Sequence, residues 1–159
     1  MADDQRHTKE ELDQEWSELV EEHRLAMPGT QVLFAFLLVL PFQQRFRELS
    51  EQQTFVYYSA LLCAAVAIVL LITPTAAHRM LWRHGEKEAL LRVSTFTGIA
   101  ATAFLGAGMS ASVYLITDYL YGEPTTAVVT AILGGLFVVL WYGLPLVRRM
   151  RARAQRGRA

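Results

Sequence analysis

This chain has little of several things that most soluble domains use. Cysteine occurs once, at Cys63. It has no partner for an internal disulfide, and a lone thiol among apolar neighbours is a small packing residue. Lysine occurs twice against thirteen arginines, and alanine is abundant. That usage points to a GC-rich genome and hence a bacterial source. The N-terminus, MADDQRHTKEELDQEW, is acidic and polar. It lacks the basic n-region and early apolar run of a secretory signal, so the expectation is that it is retained. No nucleophile elbow, phosphate loop or metalloprotease motif occurs. The sequence offers no catalytic residues.

The sharpest absence is of charge. From Thr54 to Ala77, TFVYYSALLCAAVAIVLLITPTAA, no side chain is charged. A bilayer core is ~30 Å thick and takes about 20 apolar residues of helix to cross. Three further apolar runs stand beside this one. The expected organisation is an acidic cytoplasmic segment over 1–26, a membrane domain over 27–147 and a basic tail over 148–159. Spans are expected at about 27–44, 54–77, 93–118 and 125–147. The runs lack the strict alternation of barrel strands. The expected fold is all-α: an integral membrane four-helix bundle preceded by an amphipathic helix.

Ahead of the first span, Thr8 to Glu11 fits a capping box. Leu12, Trp16, Leu19, Val20 and His23 then share one helical face. The opposite face is acidic, which anionic headgroups would repel. Two readings stand, a helix docked on protein and a solvated helix leading into the membrane. The first span is short. Pro41 near its end kinks the helix or stops it at the preceding residue, and a re-entrant half-helix is the alternative to a crossing. Ser50 to Gln53 forms a second capping box, which should start the second span.

Small residues recur every four positions in the third span, at Gly98, Thr102, Gly106 and Ser110, with Ala103, Ala107 and Ala111 alongside. The fourth span carries Ala127, Ala131 and Gly135. Such spacing lets helix backbones approach closely in lipid. It predicts a tight hairpin of spans three and four, without deciding whether further neighbours belong to this chain or to another copy. Gly122-Glu123-Pro124 reads as the turn between them.

Charge sets the orientation. The N-terminal segment, the loop His78–Arg92 and the tail carry three, four and six basic residues, against two in the loop after span one and none after span three. By the positive-inside rule both termini are cytoplasmic. A re-entrant first span would divide the charges ten against five, a weaker bias. The implied location is a bacterial plasma membrane.

The runs Glu22-His23-Arg24-Leu25, Gly29 to Leu38 and Leu40 to Phe46, with His78-Arg79 after Pro74, resemble an uncharacterised bacterial family of small four-span membrane proteins common in actinobacteria. The resemblance covers roughly Glu22 to Gly122. It implies four spans and no known activity. Some members carry an automatic sodium:proton antiporter label, but none of the four apolar cores here contains Asp, Glu, Lys, Arg or His. Antiport usually needs such a group inside the membrane. His7, His23, His78 and His84 all lie outside the cores, so neither haem nor another metal or cofactor is expected.

The candidate site by sequence is a cytoplasmic interfacial cluster of Glu22, His23, Arg24, Gln31, His78, Arg79 and Arg83. Ion pairs there would fix the N-terminal helix, or the arginines would hold an anionic lipid headgroup. On the outer side, Gln43, Gln44, Arg45 and Arg47 are placed to meet Asp118 or Glu123. The leading functional expectation is a non-enzymatic component that assembles with itself or with a larger membrane complex. The alternative is a small transporter or channel with a pathway between subunits, lined by Thr30, Gln31, Thr97 and Thr102. Nucleic-acid binding has only the arginine tail behind it, and topology accounts for that tail.

Overall fold

The computed structural model describes Gln14, Ser17, Glu21, 26–81, 87–148 and Met150, the side chains of 78–81 and 87–89 excepted. Four helices dominate it: α1 (Ala26–Phe42), α2 (Glu51–Leu81), α3 (Lys87–Tyr121) and α4 (Thr125–Arg148). No strand occurs among the described residues. The stretches Glu51–Ala77, Leu90–Tyr121 and Thr125–Arg148 are long and apolar enough to cross a membrane. The sequence-predicted spans at 54–77, 93–118 and 125–147 fall inside α2, α3 and α4. The N-terminal capping box and most of the expected amphipathic helix lie outside the described residues. Gln14, Ser17 and Glu21 are helical and exposed.

Helix α1 stops short of the expected residue 44, and Pro41 is the reason. Its α-helical turns tighten into a 3₁₀ turn over Leu40–Phe42, and Gln43 is extended. Proline has no N–H, so the carbonyl of Leu37 loses the donor that position 41 would have supplied. The Tyr57 hydroxyl donates to that carbonyl instead, at 2.8 Å. Tyr57 and Leu37 are both buried and join Ala60, Ala64 and Leu115 in one core cluster. Phe46, from the 3₁₀ turn Gln44–Glu48, meets the Tyr57 ring edge-on at 4.9 Å. The α1–α2 loop is thereby folded down onto the bundle.

Helix α2 starts where the second capping box places it. The Gln53 amide donates to Ser50 Oγ at 3.2 Å, and the Ser50 amide donates to Gln53 Oε1 at 3.0 Å. Two orphan amides of a first turn are thus satisfied reciprocally. Inside α2, Pro74 is buried. At the far end of α3, Gly122 turns left-handed, with φ +66°, and its amide caps the Asp118 carbonyl at 3.1 Å. Only glycine adopts that conformation readily.

The core seam runs between α2 and α3. Ala60, Ala64 and Ala67 are fully buried, and Ala101 is nearly so. A Cβ at Gly108 would lie 3.3 Å from the Ala60 carbonyl oxygen and 3.3 Å from Cys63 Cβ. Small residues on both helices let the two backbones approach this closely. On another side of α3, a Cβ at Gly106 would meet Phe137 and Trp141 of α4 at 3.6 Å. Those two rings pack against each other at 4.8 Å. Midway, α4 widens into a π-helical turn over Val138–Gly143. There the Tyr142 hydroxyl reaches the Ile99 carbonyl and the Thr102 hydroxyl, each at 2.9 Å.

Candidate functional site: an apolar groove under the α1–α2 loop

Pro41 ends α1 early, and the loop then crosses toward the start of α2. Beneath it lies a groove of about 310 Å³. Leu33 and Leu37 of α1 form one wall, Leu115 and Ile116 of α3 the other, and Phe46 and Leu49 of the loop the roof. The deep end is closed by Ser112, whose hydroxyl is turned onto the Gly108 carbonyl of its own helix at 2.8 Å. Gln43, Arg45 and Tyr119 are the polar-tipped residues of the lining, and Arg45 is its one charge. Arg45 has no carboxylate partner among the described residues. Ligand pockets begin at about 300 Å³ and are mostly apolar with a few placed polar groups. This groove offers an apolar slot and one cation. It contains no nucleophile–base pair, so it is suited to binding.

Next to it, two glutamines tie the ends of α2 and α3. Gln53 Nε2 donates to Asp118 Oδ2 at 2.8 Å, and Gln52 Nε2 donates to the Tyr114 hydroxyl at 3.2 Å. Among the described residues no hydrogen bond or ion pair joins Gln43, Gln44, Arg45 or Arg47 to Asp118 or Glu123, so that expectation is corrected. Gln53 sits at the third position of α2, where the capping box turns it toward the end of α3, and it reaches the carboxylate first.

Of the cytoplasmic cluster expected from sequence, Gln31 is exposed on α1. His78 and Arg79 lie on the last turns of α2, with side chains outside the described atoms. Glu22, His23, Arg24 and Arg83 lie outside the described residues. Among the described residues, no three His, Cys, Asp or Glu side chains lie close enough to hold a metal ion.

The small residues divide. On α3, Thr102, Gly106 and Ser110 face α4: Thr102 meets Tyr142, Gly106 meets Phe137, and Ser110 Oγ lies 3.9 Å from where a Cβ at Gly134 would stand. Gly98 is half-buried. On α4, Ala127, Ala131 and Gly135 are all exposed, and a Cβ at Gly135 would meet nothing within 4 Å. The α3–α4 hairpin is close, but on α4 it is Gly134 that faces Ser110, while Thr126 is fully buried and Thr130 Oγ1 is shielded from solvent. The hydroxyls of Thr30, Thr97 and Thr102 bond to carbonyls of their own helices, at Ala26, Ser94 and Ile99. Thr97 shares the Gly108 face of α3 and Thr102 the Gly106 face, so within one chain the four residues Thr30, Gln31, Thr97 and Thr102 do not form one polar line.

A family model described as a family of unknown function, DUF6328, matches residues 5–145. The chain belongs to that family. The match extends beyond the Glu22–Gly122 region that carries the resemblance in sequence, taking in most of α4 and the acidic segment. No curated protein and no solved structure matches the chain significantly. The family carries no activity to the groove, which is interpreted on its chemistry alone.

Proposed function

We propose that this DUF6328 member is a bacterial plasma-membrane protein whose four helices cross the bilayer, with both termini cytoplasmic, and that it is a non-enzymatic component that assembles with further copies of itself. The observation that carries the reading is the outer side of α4. An apolar stretch of 18 residues in α4 has 0% of its residues buried within the chain, against 28% for the corresponding stretch of α2 and 22% for that of α3. That side presents Ala127, Ala131 and Gly135 one turn apart. Small residues at this spacing lower the cost of close backbone approach, and a like helix from a second copy fits it most simply, through a two-fold contact. The basic residues, thirteen against two, support the orientation. Helix α1 has 17 residues, about 25 Å of helix, a little less than a bilayer core. It packs through Leu37 into the same core as α2 and α3, which supports a crossing over a surface position.

The test is disulfide trapping in native membranes. In a Cys63→Ser background, Gly135→Cys should give a covalent dimer on mild oxidation. Phe96→Cys, exposed on α3 away from that stripe, should not. Equal trapping at both positions would show random collision and remove the reading.

A further inference from the structure

We infer that the groove under the α1–α2 loop holds one acyl chain of an anionic phospholipid, with the headgroup phosphate against Arg45. The inference rests on the membrane placement proposed above and is independent of self-assembly.

Three observations point to that occupant. The first is length. The α3 wall runs from Ser112 to Leu120, nine residues spanning about 12 Å of rise. One leaflet of a ~30 Å hydrocarbon core is about 15 Å deep. The slot therefore matches the depth of a single chain in a single leaflet. The second is the order of the lining. Its deep end is apolar, with the Ser112 hydroxyl already satisfied, while Tyr119 and the loop residues Gln43 and Arg45 occupy the loop end. Tyrosine and arginine favour the headgroup level, so the polar and apolar ends of the slot are ordered as those of a lipid are. The third is charge. Arg45 is the lining's one charged residue, and among the described residues it forms no ion pair with a carboxylate. A guanidinium forks onto phosphate with two parallel hydrogen bonds. A soluble apolar ligand would leave Arg45 without a counter-charge, whereas an anionic lipid supplies one.

The full-length protein in nanodiscs of equal phosphatidylglycerol and phosphatidylcholine, released into a native mass spectrometer, tests this. We expect one phosphatidylglycerol retained per chain, preferred about fivefold over phosphatidylcholine, the ratio one basic residue near a membrane surface typically gives. Arg45→Ala should abolish the preference, and Arg47→Ala, in the same loop but outside the lining, should keep it. Ile116→Trp should fill the slot and remove the retained lipid. Ile116 is 58% exposed, so the larger ring does not enter the core. Should Ile116→Trp fail to fold, Leu120→Trp is interpreted the same way. Equal retention of both lipids by the native protein, or equal loss of preference in Arg45→Ala and Arg47→Ala, would overturn the inference and leave annular lipid only. Subunit count in the same spectra reports assembly separately.

Discussion

The Tyr57 hydroxyl donates to the Leu37 carbonyl at 2.8 Å, and that carbonyl is free to accept because residue 41 is proline. One side chain on α2 thus completes the backbone of α1. It also fixes the place where α1 ends and the loop turns over the groove, since Phe46 of that loop packs on the same ring.

Removing the hydroxyl tests the account. Tyr57→Phe keeps the ring and leaves a buried carbonyl unsatisfied, which costs about 1–3 kcal/mol. Pro41→Ala restores an N–H that can reach Leu37. In that background Tyr57→Phe should cost well under ~1 kcal/mol. Unfolding by SDS titration from mild detergent would measure the cycle. An equal cost of Tyr57→Phe in both backgrounds would show that the hydroxyl does not stand in for the missing amide.

Gly106 and Gly108 make a second test. They are two residues apart on α3, about 200° around the helix, and so they face different neighbours. A methyl at Gly108 would press within 3.3 Å of the Ala60 backbone oxygen. Backbone yields poorly, and overpacking costs about 1–3 kcal/mol. A methyl at Gly106 would stand at 3.6 Å from aromatic side chains, an ordinary contact. There the better helix propensity of alanine should leave stability unchanged or raise it by up to ~1 kcal/mol. The same SDS titration should rank Gly108→Ala below the native protein and Gly106→Ala level with it or above.

The π-helical turn of α4 brings Tyr142 onto α3. Its hydroxyl, the Thr102 hydroxyl and the Ile99 carbonyl lie 2.9 Å from one another, and the two hydroxyl protons make two of the three contacts hydrogen bonds at any one time. Hydrogen bonds between helices in membranes average about 0.6 kcal/mol in double-mutant cycles. Tyr142→Phe and Thr102→Val should therefore each destabilise modestly and couple by about that amount. Additive effects would mean that the two hydroxyls do not depend on each other.

Much of this architecture is legible in the sequence because it follows from local chemistry. Uncharged runs set α2, α3 and α4, Ser50 to Gln53 sets the start of α2, Gly122 sets the α3–α4 turn, and the four-residue spacing of Thr102, Gly106 and Ser110 sets the face toward α4. What was not legible depends on partners distant in the chain. Ser94, Ala101 and Gly108 recur at seven residues, the period of a coiled-coil seam. That signal marks the α2 face of α3, but the more regular four-residue spacing draws attention first. On α4 the pattern misleads in the opposite sense: Ala127, Ala131 and Gly135 are spaced for contact and face outward. Nothing local says that Tyr57 serves Leu37, twenty residues earlier. The groove is less legible still, because its walls come from α1, the loop and α3 and exist only once Pro41 has ended α1.

The orientation is testable with the same single-cysteine design. Thirteen of fifteen basic residues fall on the side of the N-terminus, the α2–α3 loop and the tail if all four helices cross. In a Cys63→Ser background, Gln44→Cys should react with a membrane-impermeant maleimide added to intact cells, and Arg156→Cys should react only after permeabilisation. Gln44 is exposed in the α1–α2 loop, so poor reaction there cannot be laid to burial. If Arg156→Cys reacts first in intact cells, the orientation is inverted. The first helix needs its own reporter, because a re-entrant α1 moves only what precedes it. Ala2→Cys should be protected in intact cells along with Arg156→Cys. Labelling of Ala2→Cys without permeabilisation, with Arg156→Cys still protected, would mean that α1 turns back within the membrane, and that the ten-against-five distribution of basic residues governs insertion.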